Sequence, residues 1–391
     1  MSTNQKILVV DDEPDLQMLM LQKFRSKVKN KEYQFLFAEN GQEALDTLSD
    51  HPDLSLVLSD INMPKMDGLT LLSEIQRLER TDVRTIMVSA YGDMENIRTA
   101  MNRGAYDFVT KPIDFKDLET TVEKTLKEIQ QLVNVRMMEQ QLESLNFDLD
   151  MAARIQQKIL HQEFPVFPED NRFDIFANMM AAKQVGGDFY DFFMYDEDHL
   201  AFFIGDVAGK GVPAAIYMAV CRTMLKAIGS EVFDPAECLF KVNNMLIPES
   251  DMSTFVTVFY GVLNVKTGEL HYCNGGHNLP YTQKKDGTVT ELEDVGGLLM
   301  GKFADAPYEK NSLLLAPGDA LVTFTDGVTE AENEEGGFFD EERVVSYLKK
   351  DPTKSLTNQV KGLFLEVMKF AGPAVQSDDI TVLSVRYTNS H

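Results

Sequence analysis

Tryptophan is missing from the 391 residues, and cysteine occurs only three times, as Cys221, Cys238 and Cys273. An odd number of cysteines without Cys-x-x-Cys spacing excludes a disulfide framework and argues against a structural zinc site. It fits a reducing, cytoplasmic setting. Positive charge is scarce, with 37 Lys and Arg against 62 Asp and Glu, a net charge of −25. Nucleic acid and anionic membranes both demand local positive charge, so neither is expected as a partner, and no basic recognition helix is visible. Long hydrophobic runs are also lacking: no apolar stretch reaches the ~18 residues of a membrane span. The opening MSTNQKILVVDDEPD turns acidic too soon for a signal peptide.

What remains is ordinary globular material, 44% hydrophobic and 25% charged. At ~150 residues per domain the length suggests two or three domains. Over the first ~115 residues, the runs KILVV, QFLFA, LSLVLS, RTIMVS and YDFVT read as strands. Helical spacing lies between them, as at Leu16, Leu19, Met20, Phe24 and Val28. Strands alternating with helices predict an α/β, doubly wound parallel sheet.

From Phe115 to about Leu160 there is neither Gly nor Pro. Apolar residues recur at steps of three and four, with an interruption near Arg136. The pattern predicts a long helix with a coiled-coil seam, cleanest at Leu142, Leu145 and Leu149, through which the chain forms a homodimer. A monomeric helix packed on its own domain is the alternative. Pro165 and Pro168 close the segment. Strand-like runs then dominate, with helical patterns at 214–228, 235–246, 340–349 and 355–370, an α+β arrangement.

In a parallel sheet, ligands collect at the carboxyl ends of the strands. The expected strand ends carry Asp11 and Asp12, Asp60, Ser89, and Lys111 followed by Pro112. Three crowded carboxylates repel unless a hard cation sits among them, and magnesium suits oxygen ligands. With that charge neutralised, a carboxylate oxygen can attack phosphorus while Ser89 and Lys111 hold the phosphoryl oxygens.

Four landmarks stand out further along: Asp188 in VGGDFYD, Asp206 in GDVAGKG, Asp326 in TDGVTE and Asp378 in SDDIT. Accompanying glycines let the backbone approach a metal, so the Val207 carbonyl can serve as a ligand. Two divalent cations ~3.5–4 Å apart, sharing a carboxylate, suit in-line hydrolysis of a phosphate monoester.

ILVVDDEPD, VLSDINMPKMDG, MVSAYGD and GAYDFVTKPID, in that order, resemble the receiver domain of bacterial response regulators. The resemblance implies a flavodoxin-like fold and a phosphoryl group accepted by Asp60 from a sensor histidine kinase. It also implies Mg2+ held by Asp11, Asp12, Asp60 and the Asn62 carbonyl. Ser89, Phe108 and Lys111 fall on switch positions, though Phe108 reads equally as a core aromatic, and the Lys111–Pro112 bond is expected to be cis.

The remaining motifs, AARIQQKIL, VGGDFYDFF, GDVAGKGVPAA, NGGHNLP, TDGVTEA and DDITVL, resemble the SpoIIE-type branch of the type-2C, metal-dependent serine/threonine phosphatases. That family's domain is an α-β-β-α sandwich with two Mg2+ or Mn2+ ions. Asp188, Asp206, Val207, Asp326 and Asp378 fall on its metal positions. Asp379 is a lesser candidate, and Asp191 is either an outer partner or exposed. Lys183 is either a phosphate contact or a surface lysine. His277 is a candidate polar contact but a lone histidine is more often structural. Lys210 stands where relatives often have His. Where relatives end the entering helix with Leu-Pro, Leu160 is followed by His161.

The resemblance implies a phosphoserine on a STAS-domain anti-anti-sigma protein as substrate. The domains expected are 1–122 receiver, 123–162 helical linker and 163–391 phosphatase. Two other readings compete: an adaptor with an inactive phosphatase domain, and a diguanylate cyclase suggested by the likeness of VGGDFYDFF to a GGDEF loop. The cyclase reading leaves Asp206, Asp326 and Asp378 unused.

Overall fold

A computed structural model describes residues 4–389, apart from 79, 81, 91 and 250–253. It divides into two compact units, Met1–Leu145 and Asn146–His391.

In the first unit the elements run β1 (Gln5–Val10), α1 (Pro14–Lys23), α2 (Arg25–Lys29), β2 (Tyr33–Ala38), α3 (Gly41–Asp50), β3 (Leu56–Asp60), α4 (Gly68–Arg77), β4 (Arg84–Ala90), α5 (Met94–Asn102), β5 (Asp107–Lys111) and the start of α6 (Phe115–Ile159). The strands form one parallel sheet in the order β2-β1-β3-β4-β5. The central strand β3 is buried along its whole length, which is why LVLSD reads as a continuous run rather than an alternation. Asn40 and Asp67 cap α3 and α4 through the backbone N–H groups of Glu43 and Thr70. Helix α6 packs Leu118, Val122, Leu126 and Ile129 into the core of this unit. Beyond them Leu132, Val135, Met138, Leu142 and Leu145 are exposed. The helix, 45 residues in all, runs unbroken past Arg136.

The second unit continues with β6 (Phe173–Met180), β7 (Phe189–Met194), β8 (His199–Val207), α7 (Val212–Gly229), α8 (Pro235–Leu246), β9 (Val256–Asn264), β10 (Glu269–Gly275), β11 (Tyr281–Gln283), β12 (Val289–Glu291), β13 (Lys310–Leu314), β14 (Ala320–Phe324), α9 (Asp326–Thr329), α10 (Asp340–Lys350), α11 (Leu356–Ala371) and β15 (Ile380–Tyr387). Two antiparallel sheets result, β13-β10-β9-β8-β7 and β12-β11-β14-β15-β6. One core joins their inner faces, with Phe202, Ile204 and Phe259 from the first sheet meeting Ile175, Leu383 and Val385 from the second. Helices α7 and α8 cover the first sheet, and α10 and α11 cover the second. This is the expected α-β-β-α layering.

Helix α7 departs from one expectation. Its 18 residues are long and apolar enough, by composition alone, to cross a membrane. The reason is its place in the sandwich: Met218, Cys221 and Leu225 are buried in the core. On another side Arg222 and Lys226 pair with Asp191.

Candidate functional site

In the first unit, parallel pairing brings the carboxyl ends of β1, β3, β4 and β5 to one edge of the sheet. Asp11, Asp12 and Asp60 converge there, each offering an oxygen within 4.8 Å of the others. Lys111 Nζ lies 2.7 Å from Asp60 Oδ2 and 3.0 Å from Asp11 Oδ2. The other oxygen of each buried acid accepts a backbone N–H, from Ile61 at 2.7 Å and from Glu13 at 2.8 Å. Burial lifts the Asp11 carboxyl above the usual carboxylate range despite these bonds. Burial opposes the charge on Lys111, but its hydrogen bonds to Asp60 and Asp11 prevail and raise its pKa. Ser89 Oγ is buried with no hydrogen-bond partner. A buried hydroxyl left unpaired costs free energy, and a phosphoryl oxygen would satisfy it. Asp12 and Asn62 are exposed, as a cation exchanging with solvent requires. Phe108 is 38% exposed on β5, so it is not a core aromatic. The Lys111–Pro112 peptide is cis.

In the second unit the acids come from different elements. Asp188 precedes β7, Asp206 is the second-last residue of β8 and Val207 its last, Asp326 opens α9, and Asp378 precedes β15. Asp188 is buried, and its Oδ2 accepts hydroxyl protons from Thr325 at 2.7 Å and Thr381 at 2.6 Å. Burial, with Asp206 and Asp379 nearby, pushes the Asp188 pKa well up. Burial, then Asp326 and Asp378, raises Asp206 to about 7, though Asp188 lies within hydrogen-bonding range of it. Burial, then Glu330 and Asp378, raises Asp326 to about 6. The Val207 carbonyl comes so near the Asp188 loop that a Cβ on Gly187 would lie 2.8 Å from it. A Cβ on Gly327 would lie 1.9 Å from the Asp379 carbonyl, so only glycine lets Asp326 approach the 378–379 turn.

Among the described residues the only lysine in contact with these acids is Lys210, 2.8 Å from Asp378 Oδ2 and donating also to the Ser377 carbonyl. Carboxylates this crowded hold protons they would otherwise lose, and divalent cations relieve the same repulsion. The donor set, all oxygen, fits such cations. Lys183 is exposed and makes no ion pair among the described residues.

Three residues do work that sequence reasoning did not assign. Asp379 clasps the loop carrying Asp188, accepting N–H from Ala182 at 2.8 Å and Gly187 at 2.6 Å. Gln156, near the end of α6, donates to the Gly186 carbonyl at 2.6 Å and accepts the Gly186 N–H at 3.0 Å. Asp191 is neither exposed nor beside the acids. It is fully buried and paired with Arg222 at 2.6 Å, Lys226 at 3.1 Å and His161 Nε2 at 2.9 Å. His161 thus ties the end of the helix segment to β7 and α7, and its ring stacks on Phe192. The signals were present in AARIQQKIL and in His161 standing for proline, but neither reveals its partner.

A family model for the response regulator receiver domain matches residues 7–123, and one for stage II sporulation protein E matches residues 196–388. The phosphoserine phosphatase RsbU of Bacillus subtilis is 30% identical over 253 residues, covering 64% of this chain and 72% of that protein. Sporulation initiation phosphotransferase F, also of B. subtilis, is 36% identical over 32% of this chain and 94% of its own. The solved PP2C domain of SiaA from Pseudomonas aeruginosa superposes with a TM-score of 0.56 at 25% identity. That match covers 63% of this chain and 98% of that domain.

Proposed function

The chain belongs to the SpoIIE-type family of metal-dependent serine/threonine phosphatases and carries a response-regulator receiver domain ahead of it. From that premise we propose that it is a two-component response regulator in which phosphorylation of Asp60 by a sensor histidine kinase controls phosphoserine hydrolysis. Residues 1–122 receive the signal, 123–162 transmit it and 163–391 hydrolyse. The substrate we propose is a phosphoserine on a STAS-domain anti-anti-sigma protein, the setting is the cytoplasm, and neither nucleic acid nor membrane is a partner.

In the receiver, Asp11, Asp12, Asp60 and the Asn62 carbonyl would hold Mg2+. Lys111 holds Asp60 in place through their 2.7 Å ion pair, so a carboxylate oxygen can attack the phosphohistidine phosphorus as the P–N bond breaks and the kinase imidazole leaves. Lys111 and Ser89 then hold the phosphoryl oxygens. In the phosphatase, Asp188, Asp206, Asp326, Asp378 and the Val207 carbonyl would hold two Mg2+ or Mn2+. When bound, such ions supply charge neutralisation and a nucleophilic water. Thr325 and Thr381 orient Asp188, Asp379 fixes its loop, and Lys210 balances Asp378. Lys183, exposed near that loop, is a candidate contact for the incoming phosphate.

The observation that carries this reading is the pairing of two acidic sites on one chain, joined by an unbroken helix. Its far end grips the Asp188 loop through Gln156. The exposed apolar residues of α6 support a parallel homodimer through that helix. Phosphate on Asp60, drawing Ser89 and Lys111 inward and repacking near Phe108, would change helix pairing or rotation.

The test is turnover of a phosphoserine substrate with and without beryllofluoride, which mimics the aspartyl phosphate. Stimulation in the wild type and none in Asp60→Asn is expected. Equal turnover with and without it removes the coupling. A two-residue insertion near Gln140 rotates one end of the helix by ~200° and should abolish the response with both units folded.

A further inference from the structure

Beside the acids of the second unit lies a groove. Gly327 and Asp378, which belong to the acid cluster's own segments, line it together with Val367 and Met368 of α11, Val375 and Glu332. Val375 is 91% exposed, and on α11 Leu365 is 70% exposed and Met368 45%. Leu365 and Met368 stand one helical turn apart on the same face of α11. With Val375 they form an apolar stripe that ends at the acids, running ~10 Å from Gly372 back to Leu365.

The exposure of that stripe is built into the fold. Gln376 donates to the Met180 carbonyl at 3.0 Å and to the Asp378 carbonyl at 2.7 Å, and Lys210 donates to the Ser377 carbonyl. The loop after α11 is thus braced, and it holds Val375 out in water. The other face of α11 already has its partner, since Val360, Leu363 and Val367 are buried over the second sheet. Single apolar residues on a surface are ordinary, but a stripe that leads into a site marks a contact.

The rim carries charge of one sign. Glu330, Glu332, Glu334 and Glu335 are exposed and make no ion pair among the described residues. Glu330 is near enough to help raise the Asp326 carboxyl. Cations held by the inner aspartates would leave these outer charges uncancelled. A phosphate ester with acidic neighbours would be repelled at this rim, and one with basic neighbours drawn in.

We propose that the groove binds the chain flanking the phosphoserine of a protein substrate. An aliphatic side chain of that segment lies on the stripe of Leu365, Met368 and Val375, and a lysine or arginine faces Glu332. This rests on reading the neighbouring aspartates as the hydrolytic site, and it names the class of sequence that site takes. The occupant is the substrate because the groove shares Asp378 with that site. A phosphate is common to all phosphoserines, so selectivity falls to its neighbours. At ~3.3 Å per extended residue, the stripe reaches about three residues from the phosphoserine.

The experiment uses the full chain, Mn2+ and three phosphoserine peptides, with aryl phosphate as a reference that has no flanking chain. The first peptide carries Leu and Lys on both sides, within about three residues of the phosphoserine. The second has Ser for Leu, and the third has Glu for Lys. The parent should favour the first over the second by about 10-fold in kcat/KM, the worth of burying one aliphatic side chain. It should favour the first over the third by about threefold at low salt, and by less as salt rises. Val375→Ser and Met368→Gln should each cut kcat/KM for the first peptide, relative to aryl phosphate, by about 10-fold, chiefly through KM. Leu314→Thr, which changes a leucine as exposed as Leu365 but on β13, should not. Glu332→Lys should reverse the preference between the first and third peptides. A parent that hydrolyses aryl phosphate yet treats the three peptides alike, or hydrolyses none of them, overturns the proposal. So do folded groove variants that keep the parent's preference for Leu over Ser within twofold. Faster aryl phosphate turnover in those variants would mean that the chain itself covers the groove, and overturns it as well. A parent that hydrolyses neither peptides nor aryl phosphate with Mn2+ overturns the hydrolytic reading of the aspartates instead.

Discussion

Both units gather aspartates at the ends of strands, but they balance the charge differently. In the receiver the acids crowd into one cluster with oxygens within 4.8 Å, and Lys111 bridges two of them. In the phosphatase at least five aspartates share one field, and Lys210 reaches only Asp378. Asp206 and Asp326 are accordingly raised to about 7 and about 6. The contrast teaches what each pocket is for. Asp60, the acid proposed as nucleophile, has a resident cation 2.7 Å away. Carboxylates proposed to hold metal can be left uncompensated, because bound metal would compensate them.

The largest effects should come from removing one acid from each pocket. Asp60→Asn should abolish a base-labile phosphate from acetyl phosphate and leave basal aryl phosphate hydrolysis intact. Asp206→Asn should do the reverse, cutting hydrolysis at least ~100-fold in a folded protein, since even outer metal partners are worth 10–100-fold. Labelling of Asp60→Asn at the wild-type level, or a fully active Asp206→Asn, would break the contrast.

The pockets can influence one another only if the helix between them behaves as a unit. Leu142 and Leu145 are 58% and 55% exposed on α6, too apolar a pair to be left in water along a sustained seam. Leu145→Glu places two charges face to face in a parallel dimer. Sedimentation at micromolar concentration should show a wild-type dimer and a shift toward monomer in the variant. A wild-type monomer under those conditions removes the seam.

Cation binding should also depend on pH in the phosphatase. Asp206 and Asp326 bind protons more tightly in the folded protein than in the unfolded chain, where the carboxyl value is 3.8. Stability of the metal-free unit therefore falls as pH rises from about 4 toward 7, since the folded state holds protons that the unfolded state has lost. Metal competes with those protons. Affinity for Mn2+ should climb as pH rises through 6 to 7, by up to ~10-fold per unit for each proton displaced, and then level off. Calorimetry in buffers of different ionisation enthalpy should show proton release at pH 6 that disappears by pH 8. No release at pH 6 would mean that the acids are already ionised.

Much of this was legible in the residues. Strand ends in a parallel sheet are predictable, so Asp11, Asp60 and Lys111 could be placed together from KILVV, LVLSD and YDFVTK. The largely apolar helix α7 was legible as a helix, but not as a segment long and apolar enough, among the described residues, to pass for a membrane span. Asp191 defeated the reading because its burial and its three partners, Arg222, Lys226 and His161, depend on α7 and the 161 turn meeting β7, contacts separated by 30 residues or more. Gln156 and Asp379 were hidden for a similar reason: Asp379 grips backbone N–H groups and Gln156 the N–H and carbonyl of Gly186, and a backbone group carries no signature in sequence.

The smallest effect sharpens the contrast between the two lysines. Lys111 has a side chain 25% exposed and is paired with two buried carboxylates. Removing it leaves those charges without a partner, so Lys111→Ala should depress labelling of Asp60 and lower the receiver's melting temperature. Lys210 has a side chain 39% exposed against a half-buried Asp378. Solvent screens such a pair, and exposed pairs contribute about 0–1 kcal/mol. Lys210→Ala should therefore shift phosphatase stability by no more than ~1 kcal/mol, a few degrees in the melting temperature of a domain this size. Without Lys210, Asp378 lacks its competing cation, so Mn2+ should bind slightly more tightly in Lys210→Ala. A large loss of Mn2+ affinity or of folding in that variant would mean that Lys210, like Lys111, is built into its pocket.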